Sequence, residues 1–228
     1  MKTTRPSAKI AAITAGLFIG VSAQATIVSG SVTTGTGTFI RLSPGFTDST
    51  PDNTVGNNTF QNTNLYGFDE DQNVQVVGSP LNVDWLTSSS AAGSLAVGTV
   101  VASHYIFFDP FGATRQVGTV SFDSEVLAIL TSTANLLASD YLANTGVTYL
   151  NPSARGLEGS DSVTVSGPNE ITVDWFASSP GDYIRVLTAF SPGAEDPGTV
   201  PEPDALFLSA TALLAALGVR RRRPRGSA

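Results

Sequence analysis

Ile171-Thr172-Val173-Asp174-Trp175 decides how the central part of this 228-residue chain is read. Apolar and polar residues alternate with period two, so a strand here puts Ile171, Val173 and Trp175 on a core face and Thr172 and Asp174 on the other. In both directions from it, runs rich in Val, Ile, Thr, Phe and Tyr alternate with clusters of Gly, Pro, Asn, Asp and Ser. Strands are expected near 37–42, 73–77, 81–86, 94–101, 104–108, 115–122, 125–131, 146–149, 162–166, 170–176 and 183–190. This spacing predicts an all-β fold, an antiparallel β-sandwich or jelly roll, spanning residues 26–190.

Two segments depart from the strand pattern. Leucines at helical spacing in 133–142 predict a short helix crossing between strands. The stretch 47–64, dense in Asn, Thr, Asp and Gly, reads as a long exposed loop. Asn82-Val83-Asp84-Trp85 echoes Thr172-Val173-Asp174-Trp175, each after a proline, and reads as two strand endings with similar turn chemistry rather than duplicated halves.

Composition narrows the chemistry. With no cysteine and a single histidine, His104, disulfides, thiol catalysis, Cys-ligated metal centres and nearly every multi-histidine metal site are excluded. Lys and Arg total 12 against 19 Asp and Glu, and residues 26–199 hold four basic and 17 acidic residues, net −13. No nucleic-acid partner is expected of such a surface.

The basic residues gather at the ends. Lys2, Arg5 and Lys9 precede the apolar run from Ile10 to Val21, followed by Ser22-Ala23-Gln24-Ala25. Residues 1–25 therefore read as a secretory signal peptide, with small residues at Ala23 and Ala25 and signal peptidase cutting before Thr26. At the other end, after a flexible tether over 191–199, come Val200-Pro201-Glu202-Pro203, an uncharged stretch from Ala205 to Val219, and Arg220, Arg221, Arg222 and Arg223. As a helix, 205–219 spans about 22 Å, short for a hydrocarbon core of about 30 Å but extendable by snorkelling arginines. The positive-inside rule keeps the arginines cytoplasmic and everything before them across the membrane, in agreement with the N-terminal signal. Pro201 and Pro203 hold Glu202 in an extended peptide that a processing enzyme can bind.

These residues resemble the PEP-CTERM sorting signal of Gram-negative bacteria, with its Pro-Glu-Pro motif, short transmembrane helix and basic end, over about 200–225. The resemblance implies recognition by an exosortase, an integral-membrane cysteine transpeptidase that cuts near the motif and passes the protein toward the cell surface. It also implies a host that makes exopolysaccharide, biofilm or floc. In addition, the blocks His104–Pro110, Gly146–Pro152 and Gly181–Val186 resemble a domain recurring in secreted PEP-CTERM proteins, over about 100–188, to which no activity is assigned.

Local motifs for catalysis are absent: there is no Gly-x-Ser-x-Gly, and His104 lies at an expected strand start, a structural position. The pairs Asp123 with Glu125, expected on one strand face, and Glu158 with Asp161 offer carboxylates for glycoside hydrolysis only if the fold sets their separation. No cofactor is required; the best candidate cation ligands, for calcium, are the adjacent acids Asp69, Glu70 and Asp71. The best candidate sugar platform is Tyr66, beside Gly67 in an expected loop, with Trp85, Trp175, Tyr105 and Tyr149 as other aromatics.

The expected protein is an exported, non-enzymatic envelope or matrix component. It begins as an inner-membrane-anchored precursor and becomes structural or adhesive at the cell surface among exopolysaccharide. The alternatives are a calcium-dependent carbohydrate-binding module and a secreted carbohydrate-active enzyme.

Overall fold

The two most apolar runs, 100–108 and 182–188, pair antiparallel at the centre of a large sheet, with Phe108 opposite Asp182 and Ala102 opposite Thr188. The structure, a computed structural model, describes residues 25–43, 46 and 53–190. Among them the strands are β1 (Ile27–Thr34), β2 (Phe39–Arg41), β3 (Thr54–Val55), β4 (Leu65–Asp69), β5 (Val74–Gln75), β6 (Leu81–Leu86), β7 (Ala91–Leu95), β8 (Val100–Phe108), β9 (Thr114–Phe122), β10 (Val126–Leu130), β11 (Thr148–Tyr149), β12 (Ser162–Gly167), β13 (Glu170–Ala177) and β14 (Asp182–Thr188). A short helix, α1 (Thr133–Ala138), follows β10.

The strands form a sandwich. The smaller sheet has the order β1-β9-β13-β12, and the larger β2-β4-β8-β14-β10-β6-β7 with β5 also on β8. Ladders in both sheets are antiparallel except β2 with β4; β3 and β11 form a separate parallel ribbon. As the alternation of 171–175 requires, Ile171, Val173 and Trp175 are fully buried. They meet Ile106, Phe108, Ile184 and Val186 from the larger sheet. Each such side chain contributes roughly 1.5–3 kcal/mol by leaving water.

The larger sheet is covered on its other face too. There Tyr105, Phe107, Tyr183 and Leu187 pack with Phe68, Leu136, Leu142 and Val147. Hence nearly all of β8 and all of β14 are buried, and they read as continuous apolar runs rather than alternating ones.

Several sequence expectations need correction. The strand expected at 94–101 is two: β7 ends at Leu95 and β8 starts at Val100, because Gly98, at φ +90°, turns the chain and donates its N–H to Val76 O. Residues 123–125 are a connection rather than part of a strand, so Asp123 and Glu125 share no strand face. Residues 53–64 of the expected exposed loop are anchored: Val55 is buried, and Asp109 Oδ2 accepts the N–H of Phe60 at 3.0 Å. The strands β1, β3 and β4 are not among the sequence expectations. The echo pair lies in different sheets, β6 in the larger and β13 in the smaller, as strand segments with separate roles.

The helix expected at 133–142 is realised as α1 and a 3-10 turn, Asp140–Leu142. Asp84 Oδ2 accepts the N–H groups of Thr131 and Ser132, and Oδ1 accepts from Asn135 Nδ2, so the helix start is held to β6. Among the described residues no helix is long and apolar enough to cross a membrane. The signal segment 1–24, the tether 191–199 and the tail 200–228 with its expected span 205–219 lie outside the described residues.

Candidate functional site

β4 ends at Asp69 with Glu70 directly after it, and extended geometry sends consecutive side chains to opposite faces of the larger sheet. The two acids therefore enter different environments instead of converging with Asp71 on a cation. Asp69 faces the smaller sheet. Its Oδ1 accepts the N–H of Ile27 at 3.0 Å and lies 2.8 Å from His104 Nδ1. Its Oδ2 accepts the Thr26 hydroxyl at 2.7 Å and Arg41 Nη2 at 2.8 Å. Burial would raise this carboxyl, but the hydrogen bond and electrostatic pull of His104, with the Ile27 and Thr26 donors, hold it down at about 2.

Glu70 faces the other core. Arg185, from the middle of β14, donates Nε to Oε2 at 2.6 Å and Nη2 to Oε1 at 2.9 Å. Ser103 Oγ adds 2.6 Å and Tyr149 OH 2.7 Å. Arg185 Nη1 also donates to Leu136 O at 3.1 Å, joining β14 to α1. Burial pulls the guanidinium down, yet the Glu70 carboxylate outweighs it and holds Arg185 above its ordinary value. Burial, reinforced by the Glu70 charge, pushes the Tyr149 hydroxyl far up. Next to this group Arg155 makes a two-pronged pair with Asp140, at 3.0 and 2.7 Å.

Two of the three expected calcium ligands, Asp69 and Glu70, are thus already paired with the protein's own arginines. Among the described residues no group of three or more His, Cys, Asp or Glu is placed to hold a metal ion. Asp69, Glu70 and Asp71 do line an open cavity of about 550 Å³, with Thr26, Arg41, Gln72 and Asn144. Burial and the neighbouring Glu70 raise the Asp71 carboxyl.

His104 is not at a strand start but in the middle of β8. Its Nε2 lies 3.0 Å from Thr188 Oγ1 while its Nδ1 meets Asp69, an order of hydroxyl, imidazole and carboxylate that also occurs in hydrolases. Here His104 and Thr188 are both 0% exposed, with Phe122 packed on the imidazole at 4.9 Å. No carbonyl substrate reaches a hydroxyl so enclosed; the chain of bonds ties β4, β8 and β14 together.

Most of the remaining candidates are taken up by the fold, whereas Trp85 is only partly buried and lines a second open cavity with Glu158 and Asp161. Tyr66 is in β4, not a loop; it is 6% exposed and stacks on Phe107 at 5.1 Å, so it offers no platform. Trp175 and Tyr105 are fully buried, and Tyr149 is taken up by Glu70. Asp161 Oδ1 accepts the N–H of Phe176 at 2.7 Å and its Oδ2 that of Glu158 at 3.3 Å, fixing a turn. Asp123 Oδ1 accepts the N–H of Thr26 at 2.9 Å.

Sequence reasoning missed Arg41, Arg185 and Thr188. The available signal was the lone arginine inside Tyr183-Ile184-Arg185-Val186-Leu187: a guanidinium in an apolar strand must find a buried carboxylate.

The sorting residues Val200, Pro201, Glu202 and Pro203 and the topology-setting Arg220, Arg221, Arg222 and Arg223 lie outside the described residues, as does Ala23 of the signal region. Ala25 and Thr26 are described, at the entry to β1. No significant match to a curated protein or to a solved structure was found. A family profile described as "PEP-CTERM protein-sorting motif" matches residues 199–223. Joined to an antiparallel β-domain, this segment gives the chain its assignment: it carries a PEP-CTERM protein-sorting motif, the mark of an exported, membrane-anchored precursor that an exosortase processes.

Proposed function

We propose that the β-domain is cargo: exosortase processing near Pro201-Glu202-Pro203 hands it to the cell surface or extracellular matrix, where it acts structurally or adhesively among exopolysaccharide and without catalysis. The observation that carries this reading is the motif match at 199–223. It follows the folded β-domain in sequence, and its two prolines are the reason an extended peptide is expected there for the enzyme to bind.

The state of the acidic and aromatic residues supports a non-catalytic role. The domain's one imidazole is enclosed, Asp69 and Glu70 are spent on Arg41, His104 and Arg185, and the expected aromatic platform is core. The test is replacement of Pro201, Glu202 and Pro203 by alanine in the native host. Full-length protein is expected to accumulate in the inner membrane, with the processed species lost. Unchanged processing contradicts the reading.

A further inference from the structure

Chain termini ordinarily fray unless something ties them down. Thr26 is tied at every polar atom. Its N–H donates to Asp123 Oδ1 at 2.9 Å, its carbonyl accepts the N–H of Asp123 at 3.0 Å, and its hydroxyl donates to Asp69 Oδ2 at 2.7 Å while accepting from Arg41 Nη2. This is the residue that cleavage after Ala25 makes the first of the mature chain. We propose that Asp123, backed by Asp69, is a built-in receptor for the α-ammonium group that signal-peptide removal creates on Thr26.

In the precursor, position 26 offers Asp123 a neutral amide N–H. After cleavage the same nitrogen carries a full charge, and the contact becomes a charge-assisted hydrogen bond, shorter and stronger than its neutral counterpart. The groups facing the nitrogen are the carboxylates Asp123 and Asp69, the guanidinium of Arg41, the imidazole of His104 behind Asp69, and Asp71 at the rim of the cavity. The cavity leaves room for water on the ammonium's remaining protons. Ala25 is 1% exposed, so the 25–26 bond is sheltered once β1 is docked, and cleavage comes before docking. The newly made terminus then closes the edge of the smaller sheet.

The inference rests on reading residues 1–25 as a cleaved signal, and the sequence makes it unusually testable. Lys2 and Lys9 are the only lysines, so the mature chain holds one amine, that of Thr26. Mature protein from the native host is treated with an acetylating N-hydroxysuccinimide ester, and single acetylation is followed by intact mass.

At pH 8 the folded protein is expected to react at least about fourfold more slowly than the same protein in urea, with the pH midpoint of its reactivity at least about one unit higher. In Asp123→Asn the midpoint is expected to return toward that of the unfolded chain. If circular dichroism shows that this variant is unfolded, the wild-type midpoint alone decides. Equal rates in folded and unfolded protein overturn the proposal, as does protection without a raised midpoint, which is burial alone. A mass that starts elsewhere than Thr26 overturns it together with the signal reading; a start at Thr26 with a freely reacting amine overturns it alone.

Discussion

Arg185 and Glu70 form a fully buried pair in which five donors surround one carboxylate's two oxygens or extend from the guanidinium to α1. Removing one partner strands the other charge away from water. Arg185→Leu is therefore expected to cost about 3–5 kcal/mol in urea unfolding, and the double change with Glu70→Leu distinctly less, because both charges leave together. Asp182 makes the opposite case. Burial first, then the nearby Asp161 and Glu158, push its carboxyl up to about 8, and its Oδ2 has no hydrogen-bond partner. The folded state keeps a proton that the unfolded chain releases near pH 4, so stability is full below that pH and falls as pH rises toward about 8. Asp182→Asn is expected to raise the thermal midpoint at pH 8 and leave it nearly unchanged at pH 4. A wild-type midpoint flat between pH 4 and 8 contradicts this assignment.

The elements show which residues could be read in advance. The strands β6, β9, β12 and β13 follow the sequence because one face of each meets water or a thin cover, so alternation survives in the text. β1, Ile27–Thr34, is mostly Ser, Gly, Thr and Val on a sheet edge, and its place comes from pairing with β9 rather than from its own pattern. β4 hides its alternation because both its faces are buried. The same double burial makes Asp69, Glu70 and Asp71 read as cation ligands, since Arg41, His104 and Arg185, the partners of Asp69 and Glu70, are distant in sequence and nothing local reveals them. The helix was legible, but its anchor was not: Asp84 lies 47 residues before Thr131, whose N–H it accepts. Asp84→Ala removes the acceptor of the Thr131 and Ser132 N–H groups and is expected to cost about 1–3 kcal/mol, measured by urea unfolding.

For the molecule, the entry and exit of the domain share one pole. Asp123 holds Thr26, and two residues on, Glu125 O accepts the N–H of Ala189 just after β14. Along β14 the far pole lies about 20 Å away, six strand steps from Thr188 to Asp182. Beyond it, in the turn between β8 and β9, Phe111 is 81% exposed. The described chain therefore enters and leaves the domain on one side, and Phe111 lies at the opposite end. The sorting motif itself was readable from sequence because its function requires an ordered string of residues, whereas the β-domain's interior depends on contacts made only by folding. The most direct test of exosortase processing is the intact mass of the protein recovered separately from inner membrane and culture supernatant of the native host. Exosortase sorting predicts a supernatant species that starts at Thr26 and ends near Pro203, without Arg220–Ala228. Protein found only in the membrane with Arg220–Ala228 intact contradicts it.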